Sequence, residues 1–393
     1  MQIVRRPIFN DISAVLESEE VIVITGCRQT GKTTTLRYFF ERIDSSNKLF
    51  LDLENTLNRK YFEEDDYEEI KRSFEFQGID FSRKVYIFLD EVQYARNIPS
   101  VVKYLKDHYD IKFFLTGSAS FYLKNLFSES LAGRKYVFEI FPLTFEEFLR
   151  FKGYHPEKVT SSTTPVEGLL DRLFGEYIKF GGFPGVVLKK NLEEKEKKTK
   201  DIFSSYFEME IEKLGDFAKL NKVRDLLFLL LQRSTSFIDI SKISQEMGLS
   251  RHTVKEYVNF FKQTYFIDLV KPFTTNRDVE IRKMPKVYPV DVGLARTFGL
   301  TDEGKLFETA LYQNLRARGE VRYYRRKSGA EIDFILNGRE ALEARVFAGG
   351  YDTRRVKEMA GSLNLNEARV VTLRKSDISG TIWAPYFCLG QSK

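Results

Sequence analysis

The stretch Ile22-Val23-Ile24-Thr25-Gly26-Cys27-Arg28-Gln29-Thr30-Gly31-Lys32-Thr33-Thr34 constrains this chain more than any other. It reads as a buried strand, a tight loop and a helix start, and it fits the pattern G-x-x-x-x-G-K-[ST] in full. Gly26 and Gly31 let the backbone wrap closely, so that successive N–H groups point inward at an anion. The positive end of the following helix adds to that field. Lys32 is suited to the β- and γ-phosphates of a nucleotide, and the Thr33 hydroxyl to a Mg²⁺ ion. Gly26, Cys27, Arg28, Gln29, Thr30, Gly31, Lys32, Thr33 and Thr34 are therefore the expected ATP-binding set, with Mg²⁺ beside it. The fold this implies is α/β with a parallel sheet.

Lys84-Val85-Tyr86-Ile87-Phe88-Leu89-Asp90-Glu91 is the second landmark, an apolar strand ending in two acids. Downstream of a phosphate loop, Asp90 is expected to bind Mg²⁺, usually through water, and Glu91 to orient and polarise the attacking water. Lys112 to Thr116 reads as another strand, leading into Thr116-Gly117-Ser118. A polar side chain there can stand between the acids and the γ-phosphate, and Ser118 is the candidate; its other reading is a helix N-cap. Arg134, in Ser130-Leu131-Ala132-Gly133-Arg134, can stabilise phosphoryl charge within its own subunit or across an interface. From spacing alone the reading as a surface arginine wins. Thr144 and Glu147 form a capping box that opens a helix.

The chain has 393 residues, enough for two to four domains. Its apolar runs, such as Leu226 to Leu231, are too short to span a bilayer, so no membrane partner is expected. Arg5 and Arg6 are not followed by an apolar segment, which argues against a signal peptide. Cys27 and Cys388 are the only cysteines, which excludes a disulfide framework and suits a reducing cytoplasm. A net charge of +6 permits a nucleic-acid partner without requiring one.

Ser161 to Pro165 reads as a linker, and the helix Leu169 to Phe180 ends in the sharp turn Gly181-Gly182-Phe183-Pro184-Gly185. Between 223 and 290 an apolar helix precedes a helix, a turn at Gly248 and a second helix capped by Ser250. Ile240, Ile243, Met247, Leu249, Val254 and Tyr257 supply the small core of a helix-turn-helix. Strand-like segments Tyr265 to Phe273 and Lys286 to Val290 then suggest a winged helix. From Arg251 to Lys286 there are eight Lys/Arg and four acids, a local +4 that suits phosphate contacts. The alternative is a module used for domain packing or protein contacts.

Past Leu300 a helix from Gly304 to Arg318 carries Glu308, and three strands follow, with Asp333 on the second and Glu343 on the third. Neighbouring strands can bring Asp333 and Glu343 together around a divalent metal, with Glu308 joining from the helix; the plainer reading is acids satisfying strand ends. Arg322, Arg325, Arg326 and Lys327, interleaved with Tyr323 and Tyr324, suit either a DNA backbone or a solvated edge strand.

Taken together, TGCRQTGKTTTL (25–36), FLDEVQ (88–93), FLTGSAS (114–120), SLAGR (130–134) and FPLTFEEF (141–148) resemble a family of archaeal and bacterial AAA-type P-loop ATPases. The resemblance implies roles in ATP turnover for Lys32, Thr33, Asp90, Glu91, Ser118 and Arg134. It implies an AAA-type ATPase domain at 1–150, a helical lid at 151–222, a winged helix at 223–300 and a restriction-endonuclease-like domain at 301–393. In that last domain Glu308, Asp333, Glu343 and Arg345 stand at the positions of a metal-dependent nuclease centre. There the family pattern ends in Glu-x-Lys and this chain has Glu343-Ala344-Arg345. Arginine keeps the positive charge but stays protonated, so it cannot serve as a base. The expected function is ATP hydrolysis that acts on, or is regulated by, DNA, with homo-oligomers or protein partners in view. The alternative is a nucleotide-dependent regulatory switch whose nuclease-like domain is catalytically dead.

Overall fold

The computed structural model describes residues 3–95, 97–117, 133–159, 163–211, 217–274 and 283–391. Its chain divides into two compact units: residues 1–141 with 263–265, and residues 142–262 with 266–393. The first division thus falls ahead of the expected boundary at 150.

In the first unit, strand β1 (Val21–Gly26) is buried along its whole length. Alternate residues serve opposite faces: Val21 and Val23 join one apolar cluster, Ile22 and Ile24 another. A strand covered on both sides needs this continuous apolar run rather than an alternating one. It pairs in parallel with β4 (Ile111–Gly117) and β5 (Lys135–Ile140), while β2 (Lys48–Asp52) and β3 (Val85–Asp90) extend the sheet in the order β2-β3-β4-β1-β5. On one face the rings of Phe88 and Phe114 stack with centroids 4.3 Å apart. The helix Lys32–Arg42 lays Leu36 and Phe39 on that face. Because β4 separates β1 from β3, the phosphate loop and the acid pair flank it at the carboxyl ends of the strands, where open α/β sheets bind ligands.

The second unit opens on the helix Phe145–Phe151, whose capping box from Thr144 and Glu147 forms as expected. Of the segment read as a linker, residues 161 and 162 lie outside the described residues, while Thr164 and Pro165 open a helix, Thr164–Phe180, with Pro165 in its first turn, where a missing N–H costs nothing. Helices Ile240–Met247 and Arg251–Gln263 flank Gly248, which takes the left-handed conformation at φ 58°. The Ser250 hydroxyl accepts from the Thr253 amide at 3.0 Å, capping the second helix. Strands β6 (Ile267–Val270) and β7 (Lys286–Pro289) follow as an antiparallel pair, and Phe237 bridges to Lys286. Arg277, Arg282, Asp278 and Glu280 of the basic stretch lie outside the described residues.

A five-stranded sheet ends the chain. Strands β8 (Val321–Arg325), β9 (Glu331–Leu336) and β10 (Glu340–Arg345) are antiparallel neighbours, and β11 (Glu367–Thr372) and β12 (Thr381–Trp383) continue in parallel. The helices Glu303–Leu315 and Gly350–Gly361 pack on it. Phe145, Tyr177, Tyr288, Phe307, Phe334 and Leu342 belong to one apolar cluster, so the opening helices, β7 and the sheet share a core.

Candidate functional site

Glycine at 26 is required by space as well as by conformation. Its φ is 141°, and a Cβ there would lie 2.1 Å from the Ile140 carbonyl oxygen. Gly31, at φ 99°, caps the helix Lys32–Arg42 and turns the loop into it. The buried Thr30 hydroxyl donates to Cys27 O at 2.7 Å, tightening the loop from inside. Lys32 is almost fully buried, and its ammonium donates to the carbonyls of Gly26 (3.2 Å) and Cys27 (3.0 Å). Burial lowers its pKa, and Glu91 is the largest opposing influence. A polyphosphate offers that ammonium the charge partner that neutral carbonyls cannot. Arg6 braces the loop from behind, donating to Thr30 O at 3.0 Å and Phe141 O at 2.9 Å. No local pattern marks Arg6 in the sequence; its part depends on β5 returning beside β1.

The acids are gathered by a residue the sequence reading passed over. Thr116, fully buried at the end of β4, donates its hydroxyl to Asp90 and accepts the Glu91 amide at 3.1 Å. The Thr33 hydroxyl also hydrogen-bonds Asp90. Burial raises the Asp90 pKa, and these two hydroxyls oppose the rise. Ser118 lies outside the described residues, so its expected role is untouched. Thr116 was legible as the polar end of a buried strand, although Ser118 was preferred. Glu91 takes φ 55°, and Gln93 donates to its carboxylate. Arg28 of the loop hydrogen-bonds Tyr94, and the Arg59 guanidinium covers the same ring, its carbon 4.9 Å from the centroid. A buried carboxylate beside the Thr33 hydroxyl is the hard-oxygen chemistry that Mg²⁺ takes, so these residues fit the ion.

Arg134 is not brought to this site. Its carbonyl accepts the Val21 amide at 3.0 Å, and neighbouring Lys135 pairs with Val21 while Ile140 pairs with Gly26. A strand's length, roughly 17 Å at its usual rise, separates Arg134 from the phosphate loop. The guanidinium meets the exposed Asp107 at 2.7 Å. Within its own subunit Arg134 thus lies away from the loop, which leaves the surface-arginine reading and a role across an interface.

In the second unit, Glu308, Asp333 and Glu343 do converge, but on cations of the chain itself. Lys286, on β7, donates to Glu308 Oε1 at 3.1 Å and Asp333 Oδ1 at 3.4 Å, and it pairs with Glu331. The Tyr288 hydroxyl donates to Glu308 at 2.6 Å, and the Ala344 amide to Asp333 at 3.0 Å. Arg345 and Arg355 both bind Glu343, and Arg345 also reaches Asp333 (3.9 Å) and Asp352 (3.7 Å). Burial, then Asp333, raises the pKa of both Glu308 and Glu343 against their cationic partners. Burial pulls the Lys286 ammonium down, but Glu308, Asp333 and Glu331 together hold it above the ordinary lysine value. Among the described residues no group of three or more acids, histidines or cysteines is disposed to hold a metal ion. Asp333 and Glu343, the expected metal pair, with Glu308 and Arg345 beside them, thus stand in an ion-paired cluster. Lys286 was missed because its strand lies far back in sequence.

A third constellation explains the sharp Gly181-Gly182 turn. Buried Asp291 accepts the amides of Gly182 (2.7 Å), Gly293 (2.9 Å) and Leu294 (3.2 Å), and the Gln313 amide group at 3.2 Å. A Cβ on Gly181 would lie 1.9 Å from the Asp291 carboxylate. The Gly-Gly turn and the segment Asp291-Val292-Gly293-Leu294 are two halves of one knot. Burial pushes Asp291 up to about 6 against these hydrogen bonds.

Residues 18–149 match the family profile of an AAA domain, and residues 171–304 match a domain of unknown function. An uncharacterized protein of Methanocaldococcus jannaschii is 27% identical over 342 residues, 84% of this chain and 74% of that one. Another, of Haemophilus influenzae, is 26% identical over 345 residues, 81% and 80% of the two chains. Among solved structures, a Walker-type ATPase of Pyrococcus abyssi is similar with a TM-score of 0.48 and 14% identity, over 75% of this chain and 96% of that one. The ORC1 protein of Aeropyrum pernix, in complex with DNA, gives 0.33 and 11%, over 79% and 92%. Among the described residues no helix is long and apolar enough to cross a membrane. Most of the residues that match the AAA domain lie in the first unit, whose sheet is parallel.

Proposed function

We propose that this chain binds Mg²⁺-ATP at Gly26–Thr34 and hydrolyses it to ADP and phosphate. One observation carries the reading: Lys32, Thr33, Asp90, Glu91 and Thr116 meet at the carboxyl ends of three adjacent strands. The loop amides and the helix N-terminus cradle the phosphates. Lys32 exchanges its loop carbonyls for β- and γ-phosphate oxygens. Thr33 and Asp90 hold Mg²⁺, which when bound neutralises charge on those oxygens. Glu91 orients the attacking water, and Thr116 fixes both acids in place. Arg134 acts, in this reading, on a neighbouring copy.

Two variants test it. Lys32→Ala should abolish nucleotide binding, whereas Glu91→Gln should keep binding and stop turnover. Normal turnover in Glu91→Gln would overturn the assignment of Glu91.

DNA is the partner this reading favours. The helix Arg251–Gln263 exposes Arg251, Lys255 and Lys262 and is followed in the chain by the antiparallel pair, the element order that a winged-helix reading calls for. Unchanged ATP turnover with duplex, single-stranded and branched DNA would count against it. The regulatory-switch alternative gains from the C-terminal acids, which are paired with lysine and arginine rather than arrayed for a metal. DNA cleavage is accordingly no part of the proposal.

A further inference from the structure

The Lys286 ammonium has three carboxylates around it, drawn from two elements: Glu308 from a helix, and Glu331 and Asp333 from β9. The lysine itself comes from β7, in a different sheet. Its side chain is only 3% exposed. The Phe237 ring stands on one side, with the ammonium 5.8 Å from its centroid. Glu308 and Asp333 sit at 3.1 and 3.4 Å, the spacing of hydrogen bonds to nitrogen. Oxygens that ligate Mg²⁺ crowd to about 2.1 Å, and those of Ca²⁺ to about 2.4 Å. A lone buried lysine in an apolar wall would lose its proton; here the acids keep it charged. The second pair of acids is closed in the same way. Arg345 spans Glu343 and Asp333, while Arg355 ties Glu343 to the Glu331 carbonyl at 2.8 Å. One oxygen of Glu343, Oε2, is buried without a hydrogen bond among the described residues.

We propose that Lys286 is a tethered cation standing where this acid cluster would otherwise take a divalent metal, so that the C-terminal sheet is metal-independent and is locked to the β6–β7 pair by charge. The inference does not depend on the nucleotide reading of the first unit. It makes the acids of a nuclease-like arrangement into the sockets of an internal strut. It also accounts for Arg345, since a cluster with no metal-bound water to activate needs no neutral amine there.

The test uses the full chain without nucleotide and Mn²⁺ as the probe. Bound Mn²⁺ is counted by electron paramagnetic resonance, and Tm is read in parallel. Wild type and Lys286→Arg should bind no Mn²⁺ that Asp333→Asn removes. Lys286→Met should bind one additional Mn²⁺ per chain, lost again in Lys286→Met/Asp333→Asn. Without metal, Lys286→Met should fall by roughly 10 °C in Tm, and Mn²⁺ should restore much of it. Lys286→Met/Glu308→Gln, which removes one charge of each sign, should regain part of that loss without metal. Wild-type Mn²⁺ binding abolished by Asp333→Asn would overturn the proposal. So would a folded Lys286→Met that gains no Mn²⁺. If Lys286→Met does not fold, refolding with Mn²⁺ decides: failure there, and in the double variant, refutes the claim that the ammonium stands in for a metal.

Discussion

Thr116 donates its hydroxyl to Asp90 while the same oxygen receives the Glu91 backbone amide at 3.1 Å. One buried side chain on the central strand thereby fixes both acids relative to the phosphate loop. Thr116→Val keeps the shape and β propensity but deletes the donor and the acceptor. Asp90 then loses a partner in a buried setting, a cost of about 1–3 kcal/mol. ATP turnover should fall roughly 10- to 100-fold, with nucleotide affinity nearly unchanged. Steady-state turnover beside a nucleotide titration checks this; equal loss in both would point to a collapsed loop instead.

How much of this was legible in sequence depends on the range over which each feature is determined. The phosphate loop, the Asp90–Glu91 strand end, the Thr144 cap and the Gly248 turn are set by residues within a few positions of one another, and each forms as read. Thr116 required choosing between two polar residues at a strand end, which periodicity alone does not decide. Lys286 and Arg6 were invisible because their partners arrive through strand order, not through spacing. The Asp333–Glu343 proximity was foreseen from adjacent strands, but the charge balance around it was not, since Lys286 and Arg355 enter from other elements.

Arg134 offers a prediction about assembly. Its distance from the loop of its own subunit leaves a surface role or action in trans, and an exposed pair with Asp107 adds little to stability. Arg134→Ala should leave nucleotide binding and Tm close to wild type. If copies assemble, turnover should lose its rise with protein concentration while the basal rate at high dilution is kept. Turnover measured across a dilution series distinguishes the two; a uniform loss at every dilution would restore a role within the subunit.

Arg6 braces the carbonyls of Thr30 and Phe141. Arg6→Ala removes charge-assisted hydrogen bonds worth about 1.5–3 kcal/mol each in such settings, partly replaced by water. The loop should lose definition more than the chemistry does, so KM for ATP should rise about tenfold with kcat changed less. Arg6→Lys should recover only part of this, because one ammonium cannot reproduce the planar fork that spans two carbonyls.

Asp291 gives the pH prediction. Its carboxyl is fully buried and is pushed up to about 6, from the ordinary value of 3.8. The folded state therefore holds the proton more tightly than the unfolded chain does. The sign follows: protonation of this group favours folding below about pH 4, that contribution is lost as pH rises to about 6, and it is flat above. The span corresponds to roughly 3 kcal/mol, an order-of-magnitude figure for a single buried acid. Asp291→Asn removes the titration while keeping one oxygen for the amides of Gly182, Gly293 and Leu294, so it should be less stable than wild type at pH 5 because its new NH₂ must face one of those donors. The difference in Tm between variant and wild type should change between pH 4 and 6 and stay constant from 6.5 to 8. Thermal unfolding at closely spaced pH values measures it. A difference independent of pH across that window would mean that Asp291 keeps its ordinary titration despite the burial.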